Sequence, residues 1–110
     1  MRCMTINIHA RAIELTPAIK DYVEEKMQSL TKYLDSIEHI DVEVGRAEGH
    51  HHKEDKAFEC NATVKIGGEV IKIEREAEEL YKAIDKVRDH LRVEISDWKK
   101  RQQERSKAGE

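Results

Sequence analysis

Phe58-Glu59-Cys60-Asn61-Ala62-Thr63-Val64-Lys65-Ile66, followed by Gly67-Gly68, decides how this chain folds. Phe58, Cys60, Ala62, Val64 and Ile66 alternate with Glu59, Asn61, Thr63 and Lys65. A period of two sends the two sets to opposite faces of a strand. One face is therefore buried and the other is wet. Gly67 and Gly68 both tolerate positive φ, so the pair reads as a tight hairpin. Ile71 and Ile73 then mark the returning strand.

Working back toward the start, Ile40, Val42 and Val44 alternate with Asp41 and Glu43, which predicts another strand. Met4, Ile6 and Ile8 alternate with Thr5, Asn7 and His9 and predict a first one. Between them, Thr16 can cap a helix and Pro17 suits its first position, where a missing N–H costs nothing. Ile19, Tyr22, Val23, Met27, Leu30 and Leu34 recur at helical spacing, so the first helix is expected over residues 16–34. Residues 45–56 are polar, carry Gly45, Gly49 and three histidines, and read as a loop.

Past Glu78 the period changes to that of a helix. Leu80, Ile84, Val87, Leu91, Ile95 and Trp98 form one apolar seam. Residues 102–110 hold no apolar side chain except Ala108 and are expected to fray as a disordered polar tail. The expected order is β-α-β-β-β-α, an α+β fold in one domain over residues 1–101. A four-stranded sheet with one polar face should carry both helices on its other face. That layout is related to the double-stranded-RNA-binding domain, a fold analogy that by itself proves no function.

The charge pattern bounds the function. The 20 basic and 23 acidic residues leave a net charge of -3, which argues against a simple polycation coating nucleic acid. Residues 35–79 hold six Lys/Arg against thirteen Asp/Glu, whereas residues 80–110 hold nine against six. The acidic middle and basic last third point to a polyanionic partner for one part of the surface only. A solvated, salt-bridged helix is the plainer account of the same asymmetry.

Neither of the two cysteines, Cys3 and Cys60, sits in a redox or metal motif, and no phosphate-binding glycine loop occurs. His50, His51 and His52 with Asp55 could meet a transition ion, but adjacent loop residues rarely complete a site, and a solvated loop is favoured. No catalytic residue, metal or cofactor is expected. No apolar run approaches the length of a membrane span, so a cytoplasmic protein is expected.

On the last helix, Tyr81, Arg88, Arg92 and Lys99 fall in one stripe beside the seam, and Lys82, Lys86 and Lys100 lie beyond the other edge. On the first, Tyr22, Lys26, Ser29 and Tyr33 share an edge. Basic helix sides can follow a phosphate backbone. The tyrosines read better as half-buried core borders with wet hydroxyls than as stacking platforms.

These features together resemble the short ribosome hibernation-promoting factor and protein Y family, also described as ribosome-associated translation inhibitors. The resemblance spans residues 4–101. It is carried by Asn7-Ile8 with Ile13-Glu14-Leu15-Thr16-Pro17-Ala18-Ile19-Lys20-Asp21-Tyr22-Val23, by Ala62-Thr63-Val64-Lys65 with Gly67-Gly68, and by Glu79-Leu80-Tyr81-Lys82-Ala83-Ile84-Asp85. The last looks like the family's D-x-Y-x-A-I-D helix start.

The resemblance implies a protein that binds the small ribosomal subunit at the mRNA and tRNA channel. There it contacts rRNA of the decoding region and inhibits translation by steric block, without making or breaking a bond. Lys20, Lys26 and Lys32 match basic family positions on the first helix. Lys82, Lys86, Arg88, Arg92, Lys99, Lys100 and Arg101 supply the second. Ser29, His90, Val93 and Asp97 stand where the family usually carries bases, so charge is redistributed here. The chain ends soon after Trp98, as short members do. The alternatives are a protein-interaction module using the open acidic sheet face, and a small hydrolase or transferase, for which no motif speaks.

Overall fold

The computed structural model describes residues 5–31, 37–46 and 58–108. The elements run β1 (Thr5–Arg11), α1 (Pro17–Thr31), β2 (Ile37–Arg46), β3 (Phe58–Ile66), β4 (Glu69–Ala77) and α2 (Leu80–Ala108). The expected β-α-β-β-β-α order is the observed one.

The strands lie in sequence order in one four-stranded sheet. β1 pairs parallel to β2, because α1 carries the chain back across the sheet between them. β2, β3 and β4 form an antiparallel meander. Gly67 and Gly68 close the β3–β4 turn with φ of 54° and 83°. At the start of α1, the Ile19 N–H donates to Thr16 Oγ1 at 3.2 Å, the expected cap.

The core is a single layer between sheet and helices. Ile40, Val42 and Val44 of β2, Cys60, Ala62, Val64 and Ile66 of β3, and Ile73 and Ala77 of β4 point inward. Val23, Met27 and Leu30 of α1 meet them from above β1 and β2. Leu80, Ala83, Ile84, Val87, Leu91, Ile95 and Trp98 of α2 cover β2, β3 and β4. No polar or charged residue is buried among the described residues. Burial pushes the Cys60 thiol up to about 12, so it serves as a small core hydrophobe.

Two boundaries differ from the sequence reading, and a third falls outside the described residues. Gly45 and Arg46 belong to β2 rather than to a loop. A Cβ on Gly45 would lie 2.3 Å from the Arg11 carbonyl oxygen, so only glycine lets β1 approach there. α1 is described as far as Thr31, and the remaining residues 32–34 of the expected helix lie outside the described residues, as do residues 47–57 with His50, His51 and His52. Lastly, α2 does not fray at Gln102 but stays helical to Ala108. No glycine or proline intervenes before Gly109, and Arg, Gln, Glu, Lys and Ala are good helix formers. Among the described residues no helix is long and apolar enough to cross a membrane.

Candidate nucleic-acid interface

Where α1 and α2 lie side by side, their polar edges meet. The rings of Tyr22 and Tyr81 pack edge to face, 4.7 Å apart at 89°. The Tyr22 hydroxyl donates to Asp85 Oδ1 at 2.7 Å. It is therefore bonded across the helices, a partner that residue spacing did not reveal. Lys26 Nζ lies 3.5 Å from the same Asp85 oxygen and 5.1 Å from the centre of the Tyr22 ring. The hydrogen bond to Asp85, helped by burial and by the Asp85 charge, pushes the Tyr22 phenol up to about 12, against the opposing pull of Arg88. Arg88 itself donates from Nε to Asp89 Oδ1 at 2.8 Å.

The expected basic residues divide into groups. Lys26 and Arg88 come together at this seam, and Arg92 and Lys99 follow Arg88 along the same side of α2 by helical phase. Lys20 is exposed on the first turns of α1. Lys82 is held by Glu78 and Glu79 near the start of α2. Lys86 turns to the opposite edge, where its ammonium donates to the Glu76 carbonyl at 3.2 Å and lines a shallow pocket with Glu59, Glu74, Arg75 and Glu76. The structure thus keeps Lys82 and Lys86 out of the seam. Lys99, Lys100 and Arg101 are exposed near the free end of α2 and carry no ion pair among the described residues. Lys32 lies outside the described residues. Val93 and Asp97 are exposed, and His90 is half-buried with no partner for Nδ1.

The outer sheet face is a polar lattice. Across β1 to β4 its rows read Arg11, Gly45, Glu59, Glu76; then His9, Glu43, Asn61, Glu74; then Asn7, Asp41, Thr63, Lys72; then Thr5, His39, Lys65, Val70. Arg11 bridges Glu43, at 3.5 Å, and Glu59. Asp41 is bound by His39 at 2.8 Å and by Asn7 at 3.3 Å. Much of the acidity of this face is thus consumed internally. Among the described residues no group of His, Cys, Asp or Glu could hold a metal ion.

Sequence reading did not find the Tyr22–Asp85 pair. The two lie 63 positions apart, and only the tertiary fold brings them together. The one available signal was Asp85 itself, four residues after Tyr81 and so on the same helix side.

Residues 6–103 match the model of the family described as Sigma 54 modulation protein / S30EA ribosomal protein. The chain belongs to this family. A ribosome hibernation promoting factor of Azotobacter vinelandii is 31% identical to this S30EA-family chain over 102 residues, covering 93% of the chain and 89% of the relative. The N-terminal domain of Thermus thermophilus Protein Y is similar in structure, with a TM-score of 0.73 and 31% identity over 86% of this chain and 99% of that one. A ribosomal subunit interface protein from Coxiella burnetii shares the fold, with a TM-score of 0.74 and 23% identity, covering 87% and 98%. These neighbours establish the S30EA α+β fold; they lend no support to the analogy with the double-stranded-RNA-binding domain.

Proposed function

We propose that this chain is a ribosome hibernation factor that binds the small ribosomal subunit at the mRNA and tRNA channel and inhibits translation by occupying it. The observation that carries the reading is the family match across residues 6–103, joined to relatives named as hibernation promoting factors. The distribution of basic side chains supports a contact through the helices. Lys20, Lys26, Arg88, Arg92, Lys99, Lys100 and Arg101 lie on the two helices, on the side away from the acid-rich sheet face. They would meet rRNA phosphates of the decoding region, and counterion release would drive the association. The partner is a ribosome in the cytoplasm, and no cofactor, membrane or small-molecule substrate enters the reading. The protein blocks by bulk and does no chemistry. A protein-docking role for the sheet face draws less support, since Arg11, His39 and Asn7 already engage three of its carboxylates.

Co-sedimentation with purified small subunits at rising salt tests the reading. Replacing Arg88, Arg92 and Lys99 together by Gln should flatten the slope of log K against log salt by about two to three and weaken binding about tenfold or more at moderate salt. No co-sedimentation of the unmodified protein, even at low salt, would sink it.

A further inference from the structure

Asp85 is an acid set in the middle of the surface offered to phosphate. A bare carboxylate there would repel RNA. Asp85 is not bare. It accepts the Tyr22 hydroxyl at 2.7 Å and lies 3.5 Å from the Lys26 ammonium. The Tyr22 ring is steadied in turn by its edge contact with Tyr81, one turn before Asp85 on α2. Tyr22 and Lys26 stand four apart on α1, and Tyr81 and Asp85 stand four apart on α2. Such pairs face the same way, so each helix presents two groups to the other. The result is a polar clasp across the α1–α2 seam.

The two helices also meet through apolar side chains of the shared core. Apolar contact sets how close two helices lie but is non-directional. A short hydrogen bond to a carboxylate is directional, and it fixes axial register as well as distance. We propose that Asp85 is a positioning residue of the basic face: by holding the Tyr22 hydroxyl and the Lys26 ammonium, it fixes α1 in register with α2 and aims Lys26 beside Arg88. This rests on the rRNA-binding reading of that face. Asp85 contributes to binding through Lys26 and Tyr22 and touches no nucleotide itself.

The clasp is formed at physiological pH. The folded state holds the Tyr22 proton up to about 12, above the ordinary phenol value near 10. Its stabilising contribution is therefore complete below pH 10 and is lost as pH climbs through 12. Glu25 also favours the protonated form, and Arg88 opposes it.

Two substitutions and two readouts test the inference. Tyr22→Phe keeps the ring and every charge and removes only the hydroxyl. Asp85→Ala removes the carboxylate. With purified small subunits, each is expected to bind about five- to tenfold more weakly, as loss of one charge-assisted contact implies. Each should also lower the salt slope by about one, because Lys26 is no longer aimed. Were Asp85 merely a repulsive charge, Asp85→Ala would bind more tightly. Phenolate absorbance supplies the second readout. One tyrosine of the unmodified protein should ionise only near pH 12, and that late step should vanish in both variants. Thermal unfolding confirms that each variant is folded, and Tyr22→Phe keeps the test open if Asp85→Ala does not fold. Binding by a folded variant as tight as, or tighter than, that of the unmodified protein overturns the inference while leaving ribosome binding standing. So does the absence of a late tyrosine in the unmodified protein. Failure of the unmodified protein to bind overturns both readings, and the titration still reports whether the clasp exists.

Discussion

Ala12 joins β1 to α1 at a φ of 63°, a left-handed conformation that L-residues adopt reluctantly. Its side chain is exposed and contributes nothing to the core. The fold accepts this strain because the turn must deliver Thr16 to its capping position over a very short span. Ala12→Gly should raise stability by about 0.5–1 kcal/mol, the left-handed penalty less the added freedom of the unfolded chain. Urea unfolding measures it, and an unchanged or lower midpoint would contradict the assignment of strain. The tyrosines show how far residue type alone can be read. Spacing puts both Tyr22 and Tyr81 at the border of the core; Tyr22 lies there, whereas Tyr81 is exposed and packs on the Tyr22 ring. The partner of the Tyr22 hydroxyl was out of reach, since hydrogen bonds between distant positions leave no periodic trace.

At the level of elements, the β3–β4 hairpin is seated on α2. A Cβ at Gly67 would lie 2.4 Å from Trp98 Cζ2, and the Trp98 indole N–H donates to Glu69 Oε2 at 2.6 Å just beyond the turn. Gly68, with φ 83°, has nothing within 4 Å of that position. Both glycines need the left-handed region, but only Gly67 also needs the space. Gly67→Ala should cost about 2–4 kcal/mol, from strain and overpacking together, and Gly68→Ala about 1–2 kcal/mol, from strain alone. Denaturant titration followed by the fluorescence of Trp98, the only tryptophan, gives both values. Equal losses would mean that the contact with Trp98 does not constrain the turn. Period and turn chemistry made this hairpin readable in advance. The helical run of α2 past Arg101 was not, because a segment without apolar residues gives no periodicity even when its helix propensity is good.

For the whole molecule, the division of labour between faces matters most. Twenty-nine residues make α2 about 43 Å long. Among the described side chains the last buried one on α2 is Trp98, and Lys99, Lys100 and Arg101 lie immediately beyond it, exposed. Replacing these three by Ala should change stability by no more than about 0.5 kcal/mol, since all three are exposed. The same change should weaken small-subunit binding at low salt and flatten its salt dependence. Sedimentation beside thermal unfolding measures both, and unaltered binding would place this end of α2 outside the interface.

The order of elements, the inward residues of the strands and the basic character of α2 were all present in the sequence, because alternation, helical spacing and composition are local properties. The tertiary structure alone decided which charges work together. It gave Lys26 to Asp85 at the seam, sent Lys86 to the Glu76 carbonyl, and neutralised part of the acidic sheet with Arg11. Charge falls off with distance in space, not along the chain, so a count of bases could name the two helices as the candidate interface but could not say which of their side chains stand free to meet a phosphate.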